Sequence, residues 1–109
     1  MRRNLLFVCG RNRLRSPTAE QVFSGRSECE VASAGIDHDA DEPVTAEWLE
    51  WADIVFVMER RHRTKLRHRY GAALKHARVI CLDIPDDYGF MDPDLVRLLD
   101  KRVTPHLRG

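Results

Sequence analysis

Short apolar runs alternate with longer, mostly polar segments along the whole chain. The runs at 5–8, 31–35, 54–58 and 78–82 are continuous or nearly so, and turn-forming or charged residues bound them. Runs of this length, rich in valine, isoleucine and leucine, are typical of strands that are buried on both faces of a sheet. The pattern therefore predicts strands over these four ranges.

Helix signals lie in the polar segments that separate these strands. Ser16 and Asp92 each stand before a proline, which predicts an N-cap followed by proline at the first helical position. Thr45 predicts a further N-cap, and Gly25 and Gly71 predict helix ends. The expected helices cover residues 17–24, 46–51, 59–70 and 93–103.

Strands and helices thus alternate from one end of the chain to the other. This alternation predicts one α/β domain over residues 1–109, with a doubly wound parallel sheet of about four strands and helices on both faces. In such sheets the ligand site lies beyond the carboxyl ends of the strands, where the winding reverses. Because the first predicted strand leads directly into Cys9, we expect this cysteine at that edge.

The overall charge does not identify a class of partner. The 109 residues carry 18 Lys and Arg against 17 Asp and Glu, which gives a formal net charge of +1. The cations at 60–69 are spread around the predicted helix, which favours a helix whose charged side chains face water. We therefore do not expect this helix to bind nucleic acid. The apolar run at 5–8 is too short for a secretion signal or a membrane span, so no membrane partner is expected.

The cysteines exclude two common uses of thiols. Cys9, Cys29 and Cys81 are widely spaced and include no C-x-x-C pair, so they predict neither a disulfide framework nor a zinc site. The histidines do not share the spacing of metal ligands either. We therefore expect no metal, and a reducing, cytoplasmic setting.

The segment after the first strand carries the strongest chemical signal. Residues 9–16 read Cys-Gly-Arg-Asn-Arg-Leu-Arg-Ser, so five residues separate a cysteine from an arginine. This spacing lets the backbone curl until several N–H groups point inwards around an anion, and the following helix adds its own N-terminal N–H groups. Arg15 can hold two phosphate oxygens with its planar guanidinium group. Cys9 is then favoured as a thiolate placed for attack on phosphorus.

At these residues the chain resembles the low-molecular-weight protein tyrosine phosphatases. The residues that carry the resemblance are Leu6-Phe7-Val8-Cys9, Asn12, Arg15-Ser16-Pro17-Thr18-Ala19-Glu20, Ser33-Ala34-Gly35, Asp53-Ile54-Val55-Phe56-Val57-Met58, His62, Leu66 and Ile84-Pro85-Asp86-Asp87-Tyr88. These matches follow one another through most of the chain, and that makes the resemblance more specific than any single motif.

The resemblance implies a catalytic residue set and a reaction. It makes Cys9 the nucleophile, Arg15 the group that binds phosphate and stabilises the transition state, and Asp86 the general acid. It also implies that phosphorylated proteins or small aryl phosphates are the substrates, and that no cofactor takes part. The substrate-binding set that it implies comprises Gly10, Arg11, Asn12, Arg13, Leu14, Ser16 and Tyr88, in which Asn12 shapes the loop, Ser16 donates to the thiolate and Tyr88 lines the mouth of the pocket.

The chain departs from the family pattern at several positions. It is shorter than typical members, and Leu14 stands where many members have a second cysteine. Arg11 and Arg13 replace small or apolar loop residues; their charge either attracts anionic substrates or faces water. Asp87 replaces the proline after the general acid, so Asp86 and Asp87 are alternative acids.

Two other functions remain open on the sequence. The same loop in a catalytically weak domain would be a binding module for phosphate or phosphorylated proteins. An arsenate reductase would need two further cysteines on one mobile segment, and the positions of Cys29 and Cys81 make that function less favoured. We interpret Cys81 as a buried, inert thiol and expect no disulfide between it and Cys9.

Overall fold

The computed structural model describes residues 3–107, and within this range the chain forms one four-stranded sheet with helices packed against it. The strands are β1 (Arg3–Cys9), β2 (Cys29–Gly35), β3 (Ile54–Val57) and β4 (Arg78–Cys81). Every pairing is parallel and the order is β2-β1-β3-β4. The predicted α/β fold and its parallel sheet are confirmed.

The helices cover both faces of the sheet, as the alternation predicted. They are α1 (Arg15–Phe23), α2 (Ala46–Trp51), α3 (Arg60–Tyr70) and α4 (Pro93–Val103), with 3₁₀ turns at Gly71–Leu74 and Thr104–Leu107. Helices α1 and α4 pack on one face, and α2 and α3 pack on the other. Since β1 lies between β2 and β3, the winding reverses at β1, and the carboxyl end of that strand is where a ligand site is expected.

Strand β1 divides the apolar core into two layers. Phe7 stacks against Phe23 and Phe56, with ring centroids 5.7 and 5.2 Å apart, on the face covered by α1 and α4. Leu6 and Val8 point to the opposite face, where α2 and α3 lie. All of these side chains are fully buried, so β1 is held from both sides and its carboxyl end is a rigid support.

One helix signal was interpreted wrongly from the sequence. Ser16 is not an N-cap, because α1 begins at Arg15 and its N-cap is Leu14, whose side chain makes no capping hydrogen bond. The predicted helix end at Gly71 is confirmed, since Gly71 is the C-cap of α3; its φ is −48° and the backbone continues into a 3₁₀ turn. The caps at Thr45 and Asp92 are confirmed, since their side chains accept hydrogen bonds from the backbone N–H groups of the first turns.

Within residues 3–107, every helix falls short of the length and apolar character that crossing a membrane requires.

Candidate active site

The loop between β1 and α1 folds around the sulfur of Cys9. This side chain is 4% exposed and stands at the carboxyl end of the central strand. The backbone N–H of Asn12 donates to Cys9 Sγ over 3.2 Å. Asn12 has a φ of 58°, a left-handed conformation that turns its amide inwards. The loop therefore places a backbone donor at the position where the sequence predicted an anion-binding curl.

The Ser16 hydroxyl links the sulfur to the side chain of Asn12. Its oxygen lies 3.0 Å from Cys9 Sγ and donates to Asn12 Oδ1 over 2.8 Å. A hydroxyl carries a single proton, so it can serve one acceptor fully at a time. When negative charge is on the sulfur, the proton can turn from Asn12 to Sγ and stabilise the thiolate. Ser16 therefore does not cap α1; its hydroxyl forms a hydrogen bond within the loop instead.

Arg15 is held in one orientation by two partners of its Nη1 atom. This nitrogen lies 2.7 Å from Glu59 Oε2 and donates to the carbonyl oxygen of Ile84 over 2.7 Å. Arg15 is 3% exposed, and the Nε and Nη2 edge of the guanidinium is the edge left to meet a ligand. A planar guanidinium offers parallel donors along that edge, which suits two oxygens of one phosphate group.

Glu59 was not identified from the sequence, although it follows β3 at the same edge of the sheet. Hydrogen bonds from Arg61, and then from Arg15, lower the pKa of Glu59 to about 2, so the carboxylate is ionised at neutral pH. Arg61 Nε lies 3.1 Å from Glu59 Oε1. The carboxylate therefore links two arginines at the edge of the site.

His62 lies beneath this pair and is fully buried. Its Nδ1 accepts the backbone N–H of Glu59 over 3.1 Å. Its Nε2 has no hydrogen-bond partner among the described residues, and Glu59 Oε2 is 3.7 Å away. Burial lowers the pKa of His62 to about 4, so the ring is neutral at pH 7 and supports the first turn of α3 as an acceptor.

We predict that His62 makes stability depend on pH below neutrality. Its pKa is lower in the folded protein than in the unfolded chain, so the unfolded state gains the proton first as pH falls from about 6.5 to about 4. The free energy of unfolding should therefore decrease over this window, by about 3 kcal/mol from this residue. His62→Asn keeps an acceptor near Nδ1 but cannot titrate, so denaturant unfolding at pH 7 and pH 4 should show a shallower decrease for the variant. Equal decreases for the two proteins would contradict the prediction.

A cavity of about 450 Å³ opens above the loop. Its lining residues are Cys9, Gly10, Arg11, Arg13, Leu14, Arg15, Asp37, Arg61 and Asp86. Most of the predicted site residues are therefore brought together here. Asn12 and Ser16 are buried and contact the sulfur from within the loop.

Tyr88, Asp86 and Asp87 differ in their position relative to the cavity. Tyr88 does not belong to the cavity lining; it is half-buried and packs against the core between the sheet and α4. Asp86 lines the cavity, with Oδ1 3.7 Å from Arg15 Nε, whereas Asp87 is exposed and lies outside the lining. Asp37 also lines the cavity.

The other cysteines lie away from the cavity. Cys29 is the first residue of β2 and so stands at the opposite edge of the sheet. Cys81 is level with Val57 on β4, two strands from β1. Strands two apart are separated by about 10 Å, which exceeds the Cα distance that a disulfide spans. The expectation that Cys9 and Cys81 form no disulfide therefore agrees with the fold.

The arrangement as a whole suits chemistry on an anion. It combines a buried sulfur, a hydroxyl and an amide in contact with that sulfur, an oriented arginine and a carboxyl group in the cavity lining. Among residues 3–107, no group of three or more His, Cys, Asp and Glu side chains is placed to hold a metal ion.

Comparisons with known proteins give a clear result for the structure. No protein-family model matches the sequence, and no curated protein matches it. Several solved structures do match this structure over most of its length. The YwlE arginine phosphatase from Geobacillus stearothermophilus has a TM-score of 0.77 and 23% identity, over 96% of this chain and 92% of that one.

The tyrosine phosphatase Wzb from Escherichia coli K30, solved with phosphate, has a TM-score of 0.75 and 21% identity, over 98% and 97% of the two chains. A low-molecular-weight protein tyrosine phosphatase from T. tengcongensis has a TM-score of 0.74 and 23% identity, over 94% and 99%. These structural matches cover nearly the whole of each chain. The chain has the fold of the low-molecular-weight protein tyrosine phosphatases.

Proposed function

We propose that this protein hydrolyses phosphate monoesters through a cysteinyl-phosphate intermediate on Cys9. The observation that carries the proposal is the position of Cys9 Sγ, at the base of a cavity and inside a loop whose amide and hydroxyl groups face it. Arg15, held by Glu59 and Ile84, is directed to the same place. This combination supports attack on a bound phosphate group.

The reaction has two steps. In the first, the Cys9 thiolate forms a bond to phosphorus while the bond to the leaving oxygen breaks, and a carboxylic acid protonates that oxygen. In the second, the same carboxylate takes a proton from water, the water oxygen bonds to phosphorus, and the sulfur leaves as a thiolate. Arg15 and the loop amides stabilise the equatorial oxygens in both steps.

Asp86 is our choice for the acid. It lines the cavity on the side of Arg15, whereas Asp87 lies outside the lining. An acid acts on an oxygen that it can reach directly or through one water molecule, and the position of Asp86 meets this requirement better.

Phosphotyrosine proteins and small aryl phosphates are the substrates that we propose. Structures that share this fold are described as tyrosine phosphatases and as an arginine phosphatase, which supports a phosphorylated protein side chain as the target. We place the reaction in the cytoplasm, because a nucleophilic thiolate requires a reducing setting.

The test is steady-state hydrolysis of an aryl phosphate by the wild type, Asp86→Asn and Asp87→Asn, with Cys9→Ser as the blank. We expect turnover by the wild type, a decrease in kcat of about 100-fold or more for Asp86→Asn, and little change for the matched Asp87→Asn. Acid quenching during turnover should leave labelled phosphate on the peptide that contains Cys9.

Two results would contradict the proposal. Wild-type protein that binds vanadate but does not turn over any aryl phosphate would favour the binding module. Thiol consumption that depends on arsenate would favour the reductase, although Cys29 and Cys81 lie far from the cavity.

A further inference from the structure

The walls of the cavity carry an excess of positive charge. Its lining includes four arginines against two aspartates, and Arg15 is the deep member that would hold the phosphate. The other three, Arg11, Arg13 and Arg61, are 59%, 50% and 55% exposed, so they stand at the mouth. We call these three residues the arginine rim.

We propose that the arginine rim selects phosphomonoesters that carry further negative charge beside the phosphate, such as phosphotyrosine flanked by acidic residues. The inference rests on the proposed phosphatase function, since it concerns the substrate of the same cavity. The sequence left open whether Arg11 and Arg13 face water or attract an anionic substrate, and the proposal selects the second alternative.

The rim arginines are able to exchange their present partners for a substrate. Arg11 Nε lies 3.9 Å from Asp39 and Arg13 Nε lies 3.3 Å from Asp41, and both aspartates are more than half exposed. Exposed pairs of this kind contribute little, so an anionic substrate can replace them at small cost. Arg61 is held more firmly by Glu59 and contributes mainly a fixed charge.

The acidic residues of the lining do not cancel this field. Asp37 lies 3.7 Å from Lys65 Nζ, which balances its charge. Asp86 Oδ1 lies 3.7 Å from Arg15 Nε, so the deep arginine balances its charge. A substrate with cationic neighbours would place like charges beside the three rim arginines, and we expect the cavity to disfavour it.

The experiment compares two phosphotyrosyl peptides that differ only at the flanking positions, Glu in one and Gln in the other. We expect the wild type to prefer the Glu peptide by about 10-fold in kcat/KM, and high salt to reduce this preference. In Arg11→Gln/Arg13→Gln the ratio should decrease to about 2-fold, because two of the three exposed charges are removed.

Arg67→Gln/Arg78→Gln is the matched control. Both of its arginines are exposed and lie outside the cavity, so this variant loses the same charge elsewhere. It should keep the wild-type ratio. A ratio near one in the wild type, or the same ratio in the two double variants, would overturn the arginine rim while leaving phosphatase activity in place.

A binding measurement separates this inference from the proposed function. Cys9→Ser cannot turn over substrate, so fluorescence anisotropy with labelled Glu and Gln peptides reports affinity alone. Tighter binding of the Glu peptide, lost when Arg11→Gln/Arg13→Gln is added, supports the rim even if the wild type hydrolyses neither peptide. Equal binding of the two peptides would overturn it.

Discussion

Arg15→Lys should decrease kcat/KM for an aryl phosphate by at least about 10³-fold, although it keeps the positive charge. The guanidinium of Arg15 meets Glu59 and the Ile84 carbonyl with Nη1 while its other edge faces the cavity. A lysine ammonium is a point charge on a flexible chain and cannot satisfy these buried partners and grip two phosphate oxygens together. The loss should appear in kcat as well as in KM, because in the proposed mechanism the arginine stabilises charge that develops in the transition state.

The control is Arg78→Lys, an exposed residue at the opposite edge of the sheet. It should keep wild-type kinetics. Glu59→Gln is the complementary change, because it removes the carboxylate that orients Arg15 but leaves the guanidinium in place; we expect a smaller loss than for Arg15→Lys. If Arg15→Lys retained a tenth or more of the wild-type kcat/KM, the assigned role of the guanidinium would be wrong.

Gly35→Ala should destabilise the protein by about 3 kcal/mol and lower the unfolding temperature by about 10 °C or more. Gly35 ends β2 beside Cys9, and a Cβ there would lie 2.4 Å from Ala40 Cβ and 2.6 Å from the carbonyl oxygen of Gly10. The second contact is with the backbone of the loop between β1 and α1. Relief of the clash must therefore move that loop, so activity should fall even at temperatures where the variant is folded.

Gly71→Ala is the matched control for this substitution. A Cβ at Gly71 meets nothing within 4 Å, and the φ of −48° suits alanine. We expect unchanged or slightly higher stability and unchanged turnover. Adding Ala40→Gly to Gly35→Ala should restore only part of the stability, because the contact with Gly10 remains. Calorimetry that finds the two alanine variants equally stable would refute the argument.

The local arrangement of the candidate site could be predicted because it lies in one stretch of sequence. Cys9, Asn12, Arg15 and Ser16 belong to a single loop and the first turn of the following helix. A strand that leads into such a loop and a helix that follows it almost determine the geometry. The prediction failed for the capping role of Ser16, since its hydroxyl contacts the Cys9 sulfur and the Asn12 side chain, and propensity alone does not weigh these contacts.

The residues that were missed come from distant segments. Glu59 and Arg61 follow β3, and Asp37 follows β2, yet all reach the carboxyl edge of the sheet near Cys9. No short-range pattern marks them, because their significance depends on which strands are neighbours. In the same way, the difference between Asp86 and Asp87 depends on the direction in which a loop without regular structure turns.

The sequence by itself determined the order of strands and helices, the parallel sheet and the loop that carries Cys9 and Arg15. These features follow from hydrophobic periodicity and from spacing within a few residues, which are properties of the local chain. Only the tertiary structure decided that Glu59 orients Arg15 and that Arg11, Arg13 and Arg61 surround one cavity. It also decided that Tyr88 packs against the core and does not line the cavity. Contacts between segments that are far apart in sequence arise only when the sheet assembles and brings the ends of its strands together.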